Sequence, residues 1–266
     1  MKDRFGREIN YLRISVTDRC DLRCRYCMPA EGIELIPMKD VLTFEEITQL
    51  AAVAVEKGVD KIRLTGGEPL VRRGIAKLVD MLSKIPGVKD LAMSTNAILL
   101  SRHAQDLAAA GLDRVNISLD TMRPEVFTHV TRGGDIRKVF EGIAAARRAG
   151  LTPIKLNCVV SKSSSEPNAR EVYSYGQENG LEVRFIKQMN FAEGLFDIVE
   201  GGQGGDCPRC NRLRLSSDGL IRPCLFSDLG FSIRELGPAE AIERALAEKP
   251  KSGGKCSHNW IRAIGG

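Results

Sequence analysis

The chain has 266 residues, 43% of them hydrophobic and 27% charged, with a formal net charge of +5. This is chain enough for one large barrel or two modest domains of ordinary globular composition. No apolar run reaches the roughly 18 to 20 residues of a membrane helix, and so mild a basic excess is no argument for a nucleic-acid partner. The opening Met-Lys-Asp-Arg-Phe-Gly lacks the apolar segment of a secretory signal. Eight cysteines then fit a reducing compartment and metal ligation better than a disulfide framework. The expectation is a cytoplasmic protein without membrane or nucleic-acid contacts.

Strand and helix signals alternate along the chain. Residues 11–16 read as a strand. Thr43 and Glu46 make a capping box for a helix whose apolar stripe is Ile47, Leu50, Ala51 and Ala54, and Gly58 ends it. A strand over 59–65 precedes a helix with Ile75, Leu78, Val79 and Leu82 on one face. A third strand spans 91–95, a helix 101–111 and a fourth strand 114–119. Ile136, Val139, Phe140 and Ile143 mark the next helix, closed by Gly150. A fifth strand over 153–160, a more polar helix over 168–179 and a sixth strand over 182–187 follow. Such alternation predicts an α/β fold with a parallel sheet, as a partial (βα)6 TIM-like barrel or an open doubly wound sheet. The glycine-rich stretch 201–205 is the one convincing boundary, between a barrel over 1–200 and a small C-terminal domain over 201–266.

Side-chain alternation favours the barrel. One face of every strand is apolar, as with Leu12, Ile14 and Val16 in the first, and belongs under helices. The other face carries Arg13, Lys61, Arg63, Lys155 and Arg184, with Ser94, Asn116 and Ser118. A closed eight-strand barrel fills its interior with branched apolar side chains. A cationic interior is instead a wet cavity. The same face offers almost no Asp or Glu in this reading, so an anion is expected there.

Three constellations carry chemistry. Cys20, Cys24 and Cys27 stand at C-x3-C-x2-C spacing just after the first strand. Three thiolates from one loop can hold a [4Fe-4S] cluster and leave one iron open. A zinc knuckle or a redox pair are the plainer readings, although structural zinc takes its cysteines in pairs. Gly66-Gly67-Glu68-Pro69 follows the second strand. It is an ordinary βα turn, or a place where a ligand approaches backbone at the strand ends that barrel enzymes use. Cys207, Cys210 and Cys224 form a second triplet, C-x2-C-x13-C, fit for a zinc site or a second cluster. Between them Arg212 and Arg214 project to one side of an extended chain, and arginine forks suit phosphate. Cys158 reads as a core thiol and Trp260 as a packing residue.

The C-x3-C-x-aromatic-C spacing, with Tyr26 as the aromatic, resembles the signature of the radical S-adenosylmethionine (SAM) superfamily, and Gly66 to Pro69 resembles its GGEP motif. Residues 11–20 (YLRISVTDRC), 61–70 (KIRLTGGEPL), 210–215 (CNRLRL) and the final Gly265-Gly266 narrow the resemblance to the GTP 3′,8-cyclase family, which opens molybdenum-cofactor biosynthesis. The resemblance implies a SAM-binding [4Fe-4S] cluster on Cys20, Cys24 and Cys27, with SAM meeting Tyr26, Gly66, Gly67, Glu68, Ser118 and Met189. It places GTP against Arg13, Arg63, Ser94, Lys155, Arg212 and Arg214, and a second [4Fe-4S] cluster, whose open iron binds guanine, on Cys207, Cys210 and Cys224. A tail with Arg262, Gly265 and Gly266 would enter the active site. In that family a 5′-deoxyadenosyl radical takes the ribose 3′ hydrogen, and the carbon radical attacks guanine C8. A reductant such as flavodoxin or ferredoxin is implied, and a homodimer is compatible.

The chain departs from the family pattern in four places. A short glycine-rich link replaces a much longer segment between Met189 and Cys207, one that helps to cover the open side of the barrel. Lys187-Gln188-Met189-Asn190 stands where an acid and a Met-Pro are usual, and Ala97 follows Asn96 where glycine is usual. Cys256 lies in the tail, as a surface thiol or as a fourth ligand to the second cluster. A compact relative acting on another nucleotide, a cofactor intermediate or a peptide is the alternative function.

Overall fold

The computed structural model describes residues 1–189, 194, 196–254 and 256. The candidates Arg262, Gly265 and Gly266, and also Trp260, lie outside the described residues. Six strands, β1 (Tyr11–Ser15), β2 (Lys61–Thr65), β3 (Asp90–Thr95), β4 (Arg114–Ser118), β5 (Lys155–Val160) and β6 (Glu182–Lys187), pair in parallel in chain order. Helices α1 (Phe44–Glu56), α2 (Ile75–Ser83), α3 (Leu100–Ala109), α4 (Pro124–Thr131), α5 (Ile136–Arg148) and α6 (Pro167–Glu178) form the crossovers. The expected α/β barrel architecture is present. Leu12, Ile14, Ile62, Leu64, Val115 and Ile117 are buried in one core with the apolar stripes of the helices. The capping box of α1 is formed as expected: Glu46 N–H donates to Thr43 Oγ1 at 3.1 Å, and Thr43 N–H donates to Glu46 at 2.7 Å.

Two departures matter for the site. The crossover from β4 to β5 contains two helices rather than one. The eight-residue α4 starts at Pro124 and is too short to show a clear stripe. The third strand starts at Asp90 rather than Leu91. Asp90 thereby joins the inward face, and Glu182 shares the parity of Arg184, so that face does carry acids. Glu182 pairs with Lys155 at 2.5 Å and with Arg184 at 3.8 Å, and Asp90 pairs with Arg114 at 2.6 Å. The expectation of almost no inward acid is corrected accordingly.

The sheet does not stop at β6. Strand β7 (Arg212–Leu215) lies parallel to β1, and β8 (Leu220–Arg222) and β9 (Phe231–Ser232) add antiparallel, giving the order β6-β5-β4-β3-β2-β1-β7-β8-β9. Helices α7 (Ile233–Leu236) and α8 (Pro238–Ala247) follow, and α8 packs on α1. Residues beyond 201 therefore extend the sheet of the barrel. The glycine-rich link lies along the far edge. Phe185 N–H donates to Glu200 O at 3.0 Å and Glu200 N–H to Phe185 O at 3.2 Å. A Cβ on Gly201 would stand 2.7 Å from Val183 O, which is why this strap is glycine where it touches β6. Lys187 pairs with Asp197 at 2.7 Å, and Arg212 donates to Gln203 O at 3.0 Å. The short link thus joins the β6 edge to β7. No described helix is long and apolar enough to cross a membrane.

Candidate active site

A cavity of about 650 Å³ opens on the inner face of the sheet. Its lining takes in Cys20, Cys24 and Cys27, the SAM candidates Tyr26, Gly66, Gly67, Glu68, Ser118 and Met189, and the nucleotide candidates Arg13, Arg63, Ser94, Lys155, Arg212 and Arg214. The strap contributes Gly201 to Gly204. Cys207, Cys210 and Cys224 do not line it, although their neighbours Asn211, Arg212 and Leu225 do. Among the described residues no three His, Cys, Asp or Glu side chains are grouped to hold a single metal ion.

The first thiol loop is fixed from two sides. Gly67 N–H donates to Thr17 O and Glu68 N–H to Arg19 O, both at 2.8 Å. Gly66 has φ +145°, and a Cβ on Gly67 would lie 2.2 Å from Arg19 O. The two glycines are needed because backbone meets backbone just before Cys20. On the other side α4 braces the loop, with Arg25 N–H donating to Val130 O at 2.9 Å and Arg23 N–H to Thr131 O at 3.2 Å. Arg132, at φ +55°, donates to Arg23 O and Met28 O at 2.7 and 2.8 Å. Sequence reasoning missed this brace; its signal is the Pro124 start of α4 followed by Arg132-Gly133-Gly134.

Glu68 is 1% exposed. Its Oε1 accepts from Leu70 N–H at 3.0 Å and Thr95 Oγ1 at 2.8 Å, and its Oε2 accepts from Asn96 N–H at 2.7 Å. The carboxyl therefore ties its own turn to the end of β3 beneath the cavity, and burial raises its pKa to about 7. Tyr26 donates to Asp120 at 2.8 Å, and Asp120 also accepts from Val159 N–H at 2.8 Å. Burial first, then Asp120, pushes the Tyr26 phenol well above its ordinary value, so it remains a donor with a fixed ring.

The donor set fits an iron–sulfur cluster. Leu22 N–H points to Cys20 Sγ at 3.4 Å. The Cys24 thiol is pushed up to about 12 by burial, then by Cys27, Asp120 and Cys20. Three cysteines carried on one loop can share the irons of such a cluster, whose positive charge favours their ionised form. In the second triplet burial raises Cys210, but Lys249, the Arg212 amide, Arg212 and Arg214 outweigh it, and the net shift is downward. Burial raises Cys224. Cys256 is 8% exposed and packs with Leu225, Phe226 and Cys224, so it is not a surface thiol. Cys158 is a core thiol, as expected.

The cavity wall is cationic by register. Arg13 stands beside Arg63 on β2 and Arg214 on β7, and Tyr11 lies between Lys61 and Arg212. Arg63 and Arg212 flank the Tyr11 ring at 5.4 and 5.5 Å. Burial, then Arg214, pushes the Arg13 guanidinium well below its ordinary value. Burial, then Arg212, brings Arg214 to about 10. Arg63 Nε and Arg184 Nε are buried with no hydrogen-bond partner among the described residues. Buried donors of like charge side by side are costly without an anion between them.

A model of the radical SAM superfamily matches residues 14–174. GTP 3′,8-cyclase of Peptoclostridium acidaminophilum is 43% identical over 270 aligned positions, covering 85% of this chain and 83% of that protein. GTP 3′,8-cyclase of Petrotoga mobilis is 37% identical over 314 positions, covering 98% of this chain and 96% of that protein. That span exceeds the 266 residues of this chain, so the relative carries residues that are missing here. Among solved structures, Streptococcus suis SuiB bound to S-adenosylmethionine superposes with a TM-score of 0.66 at 15% identity, covering 91% of this chain and 64% of that one. Native anSMEcpe with bound AdoMet gives 0.65 at 16% identity, covering 91% and 81%. At such identity these two share the fold. The sequence relatives share more: the chain belongs to the radical SAM superfamily and, within it, to the GTP 3′,8-cyclase family.

Proposed function

We propose that this protein is a radical SAM lyase that converts GTP to 3′,8-cyclo-7,8-dihydro-GTP, the entry to molybdenum-cofactor biosynthesis. The observation that carries the reading is the Arg63–Arg13–Arg214 row, which faces the same cavity as the SAM loop. Cys20, Cys24 and Cys27 hold a [4Fe-4S] cluster that, with SAM, supplies the 5′-deoxyadenosyl radical. Gly66 and Gly67 offer backbone to the methionyl end of SAM, and Tyr26, locked by Asp120, offers a fixed ring. Arg13, Arg63, Arg212 and Arg214 clamp the triphosphate with paired, charge-assisted hydrogen bonds, leaving the ribose toward the SAM side. The strap at 201–204 reduces the water that reaches the radical. Cys207, Cys210 and Cys224 hold a second [4Fe-4S] cluster in the part of the chain after 201, and a donor of the flavodoxin or ferredoxin class reduces the protein.

The test is product analysis. Reconstituted, reduced protein given SAM and GTP should form the cyclised nucleotide with 5′-deoxyadenosine, and given ATP should not. The missing residues favour one second reading, a compact enzyme for another phosphorylated nucleotide. Turnover of a different nucleotide in preference to GTP would establish it. Removal of Gly265 and Gly266 should leave SAM cleavage in place and lower product. Full product from the truncated protein would deny the tail a part in the reaction.

A further inference from the structure

Lys249 follows α8 and is 2% exposed, the largest of the fully buried side chains. Its ammonium donates to Arg212 O at 2.6 Å and to Pro223 O at 2.8 Å. It also lies close enough to the Cys210 and Cys224 sulfurs to interact with them electrostatically. Arg212 is two residues after Cys210 and Pro223 directly precedes Cys224, so one side chain ties both segments of the second thiol triplet. The hydrogen-bond partners of Lys249 are two carbonyls, with no carboxylate among the described residues.

Arg7 makes the contrast. It donates to Cys207 O at 2.8 Å and Pro250 O at 2.6 Å, and so braces the remaining cysteine of the triplet. Its charge is met by the buried Asp3 at 2.6 Å. A buried ammonium without a carboxylate is costly. The groups beside Lys249 are the sulfurs of Cys210 and Cys224, and a cluster bound to them would concentrate negative charge there.

We propose that Lys249 is the fixed counter-charge of the second cluster, a positioning residue that holds Cys210 and Cys224 and raises the reduction potential of the cluster they bind. The proposal rests on the reading that Cys207, Cys210 and Cys224 carry an iron–sulfur cluster. A fixed positive charge beside the cluster favours the reduced, more negative state, so its loss lowers the potential.

The test is a redox titration followed by electron paramagnetic resonance on the full reconstituted chain, with iron content measured alongside. The first cluster is identified as the signal that changes on SAM addition. In Lys249→Met the second signal should titrate at a lower potential while the first is unchanged, and Lys249→Arg should stay near the wild type. An unshifted second signal in Lys249→Met at full iron content overturns the proposal alone. A wild-type protein with no second signal and the iron of one cluster overturns the two-cluster reading, and this proposal with it. If Lys249→Met loses the second cluster, Lys249→Arg decides. A cluster restored at the wild-type potential supports the counter-charge, and a cluster still missing means that Lys249 acts by shape and overturns it.

Discussion

Gly67 and Glu68 show why single residues hold the radical site together. A methyl group at position 67 would collide with Arg19 O, which cannot move without carrying Cys20. Gly67→Ala should therefore destabilise by about 1 to 3 kcal/mol and lose the iron of the first cluster, as read by unfolding and iron assay. Full iron content would show that the loop tolerates the shift. Glu68 makes a pH prediction. Its folded pKa lies near 7, above the ordinary 4.5. Its contribution to stability is present below 4.5 and is lost as pH rises through about 7, because the fold then holds a buried charge. The unfolding midpoint should fall across that window in the wild type. Glu68→Gln, neutral throughout, should lose the slope and, with a donor now facing Asn96 N–H, unfold about 1 to 3 kcal/mol more easily. An identical slope in the variant would assign it to another group. Ala97 has φ +63°, the left-handed region that favours glycine. This is the physical reason that glycine suits the position, which the sequence marked only as a departure from the family.

Strand parity made the cavity legible. Arg13, Lys61, Arg63, Lys155 and Arg184 face it because alternate residues of a strand share a side, and the Arg212–Arg214 pair obeys the same rule in β7. What hydropathy could not show was which strands are neighbours. The Arg63–Arg13–Arg214 row exists because β7 pairs with β1 across about two hundred residues of chain, a register that no local pattern encodes. Of the acids, Asp90 was missed through a strand end, since starting β3 at Leu91 hides it and the pairing of Arg114, whereas Glu182 lay inside the expected sixth strand and shares the parity of Arg184. Helix α4 was missed because eight residues give little periodicity, yet it braces the thiol loop. If the β7 arginines hold phosphate, Arg212→Ala or Arg214→Ala should weaken nucleotide binding by about 1.5 to 3 kcal/mol per lost charged hydrogen bond, with substrate-free SAM cleavage largely kept. Equilibrium binding of GTP at unchanged affinity in both variants would place the triphosphate elsewhere.

Across the whole molecule, the glycine link that sequence reads as a boundary is a strap along an edge of one continuous sheet. Composition marks it as flexible, and only the close approach to Val183 O explains its glycines as contacts. The same sheet carries the SAM loop after β1 and the arginine pair of β7 as neighbours. In the proposed function, radical generation and phosphate binding share the one cavity that these residues line. This sharing is tested most directly by incubating the reduced, reconstituted protein with SAM and GTP deuterated at the ribose 3′ carbon. Deuterium should appear in 5′-deoxyadenosine together with the cyclised nucleotide. 5′-Deoxyadenosine formed without deuterium, with GTP recovered intact, would contradict it.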